Sequence, residues 1–289
     1  MNKTLLKLIF LALLISGLSG CDGNPDSKNE ISYSGLTNKT ELTSTDVVNH
    51  FITAYTDFNI ATLGQGLNYE YNRLSIPSIR SENNVEYGNC STGTLQESGI
   101  DSGGEIDLLI IYDNYCDEGA YRDGRVALKG TGTKEESVAT IQRMRYWIPT
   151  KYLDFTISGT INGTSLYEES YNGETDIDID TDIYNIDITD NTEKTQYRFL
   201  NLTQAVDWSL GHTIISGRMF SEKHGYITIQ TVENLVYHSN NTTPTSGKLI
   251  LYGQNSKARV IFNGEGVYTI ELNSDNNDNF GPEKNYTYN

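Results

Sequence analysis

From residue 104 to residue 272 the chain is dominated by one signal, apolar residues recurring with period two. In YLDFTISGTI (152–161), Leu153, Phe155, Ile157 and Ile161 alternate with Asp154, Thr156, Ser158 and Thr160, which sends the two sets to opposite faces of a pleated strand. GEIDLLIIYDNYC (104–116) carries Ile106, Leu108, Ile110 and Tyr112 on one face and Leu109 and Ile111 on the other. That strand is expected to be covered on both sides. Further strands are predicted at 123–129, 136–148, 196–203, 213–220, 225–232, 247–252, 258–263 and 266–272. Asn162-Gly163, Asn172-Gly173, His224-Gly225 and Asn263-Gly264 read as turns between them, Asn-Gly being a strong hairpin signal. Proline is scarce, 5 in 289 residues, so ladders are seldom broken. There is no βαβ alternation and no exact repeat. The expected fold is mainly β: an antiparallel meander forming a large curved sheet or half-open barrel, since many strands in one sheet curl or split.

One stretch departs from this period. In STDVVNHFITAYTDF (44–58), Val48, Phe51, Ile52, Tyr55 and Phe58 fall three or four apart, the spacing of one helix face. Ser44 or Thr45 serves as cap, and Asp46 suits the first turn. This amphipathic helix over about 44–58 is expected to lie in the concave face of the sheet, with His50 on its solvated side. Residues 44–289 then form a single β-rich domain, and the polar residues 21–43 before it read as a flexible tether.

ETDIDIDTDIYNIDITD (174–190) poses a choice. Read as a strand, Asp176, Asp178, Asp180 and Asp182 share a solvated face, and a slip at Tyr184-Asn185 keeps the isoleucines together on the other. Read as a calcium loop, Asp176, Asp178, Asp180 and Asp187 take positions 1, 3, 5 and 12 of an EF-hand-like outline. The glycine wanted at position 6 is Thr181, and alternating isoleucines do not suit a loop wrapped round an ion. The strand is the better reading. Asp275 and Asp278 in NSDNNDNFGPE (273–283) are a second candidate for a hard cation, or ordinary turn formers. No cofactor is called for, with calcium the one metal these residues would suit.

The amino terminus reads MNKTLLKLIFLALLISGLSGC. Two lysines precede an apolar run too short to span a bilayer, the anatomy of a secretory signal peptide over residues 1–20. Leu18-Ser19-Gly20-Cys21 resembles the lipobox of bacterial lipoproteins. The resemblance implies cleavage before Cys21, acylation of its thiol (palmitate-type chains) and usually of its amine, and two or more chains anchor stably. The protein is then expected in the cell envelope, on the inner or outer membrane, with its domain in the periplasm or on the cell surface. Cys90 and Cys116 remain, and an exported chain is expected to pair them as a disulfide; free thiols or a shared metal are the alternatives.

Removing Lys3 and Lys7 with the leader takes the formal charge from −17 to −19. Nucleic acid, which demands basic patches, is thereby excluded as a partner. An envelope protein or a polysaccharide is compatible. RMRYW (143–147) would set Arg143, Arg145 and Trp147 on one strand face, where the arginines are expected to pair with the aspartate comb or with Glu135 and Glu136. The four histidines fit no zinc spacing, and no nucleophile elbow or P-loop is present. A carboxylate pair for glycan hydrolysis has no linear signature.

NCSTGTL (89–95) with Cys116 and GRVALKG (124–130), then YLDFTISGTINGT (152–164), then TPTSGKLILYGQNSKARVIFNGEGVYTIELNSDNND (243–278) resemble a loose group of exported proteins of Gram-negative bacteria with no assigned function. The resemblance implies a disulfide-bearing β-meander and carries no site residues. The function expected is a membrane-anchored envelope lipoprotein acting as a non-enzymatic binding or interaction module. A calcium-stabilised polysaccharide-binding surface module or a periplasmic glycan hydrolase are the alternatives.

Overall fold

The computed structural model describes residues 32–62, 84–90, 92–102, 105–131, 137–168, 177–237, 243–264, 266–274 and 279–288. Cys21, Asp176, Asp275, Asp278 and the Asn172-Gly173 turn signal lie outside them. Among the described residues one α-helix, α1 (Thr45–Thr62), precedes fourteen strands. These are β1 (Asn84–Tyr87), β2 (Thr94–Ser102), β3 (Glu105–Asp117), β4 (Ala120–Thr131), β5 (Ser137–Ile148), β6 (Leu153–Glu168), β7 (Ile177–Asp190), β8 (Thr195–Asp207), β9 (His212–Ser221), β10 (Gly225–Val236), β11 (Ser246–Tyr252), β12 (Lys257–Gly264), β13 (Val267–Asn273) and β14 (Lys284–Thr287). They form one antiparallel sheet in chain order, from β1 at one edge to β14 at the other, not closed into a barrel.

Fourteen strands about 4.8 Å apart would span roughly 60 Å if flat, whereas α1 is about 27 Å long. Yet Val48, Phe51, Ile52, Tyr55 and Phe58 of α1 share one buried cluster with strand residues from Leu95 in β2 to Ile270 in β13. The sheet therefore curls around the helix. Phe58 shows the packing: its ring lies 4.9 Å from that of Tyr184 and 4.7 Å from that of Phe199. Ser44 caps α1, its Oγ accepting from Val47 N–H.

Bulges and glycines supply the curvature. Asn114, Arg143 and Asn201 each carry one extra residue into β3, β5 and β8 with φ near +48°, and such insertions bend a strand and sharpen its twist. Gly159 in β6 (φ +134°) shows the accompanying close approach: a Cβ there would lie 2.2 Å from the Asn185 carbonyl oxygen. Only glycine fits.

Several expectations need correcting. Asn162-Gly163 is no turn; β6 runs straight through it, Gly163 opposite both Ser137 and Asp182. On β3, Leu108, Ile110 and Tyr112 are buried against the core, but Leu109 and Ile111 are only half-buried, so the outer side is not fully covered. The extra residue expected in β7 at Tyr184-Asn185 lies one strand over, at Asn201 of β8. β7 pairs with β6 in unbroken register from Phe155–Asp190 to Glu168–Ile177. Asp182 therefore shares the helix-side face with Tyr184, whose hydroxyl donates to it, while Ile183 is exposed outside.

The expected flexible tether is docked over its second half. Thr40 N–H donates to Tyr226 O, Gln254 N–H to Thr40 O and Leu42 N–H to Ser256 Oγ. Residues 33–43 thus strap the sheet end formed by the β7–β8, β9–β10 and β11–β12 turns, and Leu42 is fully buried.

Candidate functional site

Small polar residues dominate the outer face where β5 to β8 pass the line of bulges. On β6, Ser158 and Thr160 point out because Phe155, Ile157 and Ile161 point in. With no side chain at Gly159 and an extra residue in each of β5 and β8, the surface is drawn into a cleft of about 270 Å³. Its walls include Thr140, Ser158, Thr160, Asn185 and Leu200. Asn185 Oδ1 accepts from Asn201 N–H at 2.8 Å and so holds the bulge in place.

An ion pair crosses one wall. Arg198 donates from Nε to Asp187 Oδ1 at 2.7 Å and from Nη2 to Asp187 Oδ2 at 2.8 Å. The planar fork is the geometry of a strong bidentate pair, and these bonds raise the Arg198 pKa further. The strap completes the rim. Tyr33 donates its backbone N–H to Asp187 Oδ2 at 3.0 Å, and its ring lies under the Arg198 guanidinium at 5.2 Å. Burial pushes the Tyr33 hydroxyl up to about 12.

A second pair of the same kind stands further along the outer face. Arg145 donates from Nε and Nη2 to Asp154 on the neighbouring strand and lies 4.7 Å over Trp147, which stacks on Tyr121. The Arg145 hydrogen bonds hold the Asp154 carboxyl below the ordinary carboxylate range. Arg145 and Trp147 do share a face, as expected. The partner of Arg145 is Asp154, however, and not the aspartate comb; Glu135 and Glu136 lie outside the described residues, and Arg143 is set apart at its bulge.

Of the metal candidates, the three that are described, Asp178, Asp180 and Asp187, are dispersed. Asp180 accepts from Trp208 Nε1 at 2.6 Å, while Asp187 is held by Arg198 on the opposite face of β7. Seven residues of strand place these two about 23 Å apart. Asp178 lies on the same extended strand, opposite Tyr167 of β6. An EF-hand-like ring of these residues is incompatible with that geometry. Burial raises Asp182 to about 6, so this member of the comb lies on the helix side with Tyr184 and not on the solvated face expected of it. No group of three or more His, Cys, Asp or Glu suited to a metal occurs among the described residues. Cys90 and Cys116 form a disulfide, Cα–Cα 5.3 Å, joining the segment before β2 to the end of β3.

Under the helix lies a different polar cluster. His50, expected in solvent, is half-buried: its Nε2 is 2.7 Å from Ser221 Oγ and its ring 4.9 Å from that of His224. Burial, then His224 and Lys223, pull His50 down to about 4. The Ser–His distance is that of a nucleophile and base, but Ser221 is fully buried, beyond reach of a substrate. Asp57, two turns further along α1, accepts from Tyr288 Oη at 3.2 Å. Burial, followed by the charge of Asp190, raises it to about 7.

The cleft residues escaped sequence reading because they come from four strands and a strap. The one local hint is Ser158-Gly159-Thr160, a small polar triplet inside a strong strand. No protein-family model, curated protein or solved structure matches the chain.

Proposed function

We propose that this is a lipid-anchored envelope protein, held by acylated Cys21, whose sheet is a non-enzymatic binding module using the outer cleft. The observation that carries the reading is the strap. Tyr33 lies twelve residues after Cys21 and is fixed on the cleft rim through Asp187 and Arg198. Twelve extended residues reach at most about 40 Å, so an acylated Cys21 would keep the cleft within that distance of a membrane surface. The cleft suits binding better than chemistry. Among the described residues its lining holds a single carboxylate, Asp187, already committed to Arg198, whereas glycoside hydrolysis uses two.

The anchor is tested by fractionating cells that produce the full chain and its Cys21→Ser variant, with intact-mass measurement of each. Membrane retention of an acylated chain beginning at Cys21, lost in the variant, is the expected result. Equal membrane retention of both would refute the anchor.

A further inference from the structure

The chemistry of the cleft identifies a ligand class, an inference that rests on the cleft being the binding site. We infer that it takes a neutral saccharide, one or two sugar units in the cleft with neighbouring units along the outer face. Three observations converge.

The first is charge. The chain is strongly acidic, and Arg198, the one cation among the described residues of the cleft lining, is matched by the bidentate carboxylate of Asp187. An anion would have to displace Asp187 against the field of the whole chain. A cation would have to displace Arg198. A neutral ligand disturbs neither.

The second is hydrogen-bonding character. Thr140 and Thr160 present hydroxyls, each both donor and acceptor, and Asn185 an amide, with buried Ser158 forming the wall between them. The Arg198–Asp187 pair uses two of the five guanidinium N–H groups. Asp187 also accepts from Tyr33 N–H, which leaves about one carboxylate lone-pair site beside the remaining guanidinium donors, an array that matches two adjacent sugar hydroxyls, one donating to the carboxylate and the other accepting from the guanidinium. The cleft, at about 270 Å³, sits at the lower edge of ligand pockets, about 300 Å³.

The third is the surface beyond the cleft. Asp154 lies four residues from Ser158 on β6, about 13 Å, and with Arg145 repeats the arginine–carboxylate fork beside an indole. Trp147 stacked on Tyr121 gives an aromatic face of the kind that receives the apolar side of a sugar ring. Two like stations at this spacing suit an oligosaccharide rather than a lone monosaccharide.

The test is titration of the lipidated full chain, in a detergent without a sugar headgroup, followed by saturation-transfer NMR. The probes are maltohexaose, laminarihexaose, mannohexaose and chitohexaose, with tetragalacturonate as the acidic counterpart. Saturable binding of at least one neutral probe, weakened tenfold or more by Ser158→Ala with Thr160→Val and unchanged by Lys151→Ala at an exposed turn, is expected. Near-UV circular dichroism checks that each variant is folded. Three results would overturn the inference: no neutral probe binding, neutral binding indifferent to the cleft variants, or binding of tetragalacturonate alone. In the last case sensitivity to the cleft variants would keep the cleft as a site while removing its neutral class, so the two failures are separable.

Discussion

Replacing Asp57 by asparagine should stabilise the protein in neutral solution and leave it nearly unchanged in mild acid. Asp57 is 6 % exposed, hydrogen-bonded to Tyr288 and close to Asp190. Its folded pKa of about 7 stands above the unfolded 3.8, so between those values the folded state binds more protons than the unfolded. Stability present near pH 4 is therefore lost as pH rises to about 7. A difference of about 3 pKa units at 1.36 kcal/mol each sets a ceiling of about 4 kcal/mol. The side-chain amide introduced by Asp57→Asn would still accept from Tyr288 and would not ionise. Urea unfolding followed by circular dichroism at pH 4.5, 6 and 8, with the disulfide intact, gives the comparison. The stability difference, variant minus wild type, should grow with pH by a few kcal/mol, whatever constant offset the amide brings. Contributions of Asp182 and His50 cancel in that difference. A difference that stays flat from pH 4.5 to 8 would refute the assignment of a buried, proton-holding carboxylate at this site.

His50→Gln should show the opposite dependence: wild-type His50 contributes stability above pH 6.5 that is lost as pH falls toward 4, so the variant's relative stability should rise in acid, read by the same unfolding series. Gly159→Ala forces a Cβ onto the Asn185 carbonyl at a positive φ and should cost about 2 kcal/mol or more. Gly264→Ala, also at positive φ but with open space around it, should cost less; thermal melts that rank the two the other way would contradict the close-approach argument. Changing Cys90 and Cys116 together to alanine removes a bridge closing 26 residues and should lower stability by roughly 3–4 kcal/mol in the chain-entropy account, checked by urea midpoints. Phe58→Ala, emptying the contact with Tyr184 and Phe199, should cost about 3–5 kcal/mol.

The meander was legible because period-two alternation reports burial directly, and β5, β6 and β8 to β13 lie where it places them. Helix α1 was legible for the same reason at the other period, although it continues to Thr62 through Asn59 and Ile60. What was missed has physical causes. β2 (TLQESGIDS) buries the carboxylate residue Glu97 on the same face as Leu95, so alternation of hydrophobicity fails there. The face of β7 was misjudged because Ile183 stands exposed on the outer face, so isoleucine positions alone do not tell the two sides of this strand apart. The strap is polar in composition and held by backbone hydrogen bonds, which sequence does not display. The cleft is legible only in space, since its hydroxyls and its Arg198–Asp187 pair meet through strand register.

The cleft as the protein's working surface is tested most directly in living cells, by placing a photo-crosslinking residue at Leu200 of the lipidated full chain, with the same residue at exposed Ile214 on β9 as reference. A discrete, saturable adduct from Leu200 that is absent from Ile214, and lost when Ser158→Ala and Thr160→Val are added, is the result this structure predicts. No adduct at Leu200, or the same adducts from both positions, would contradict it.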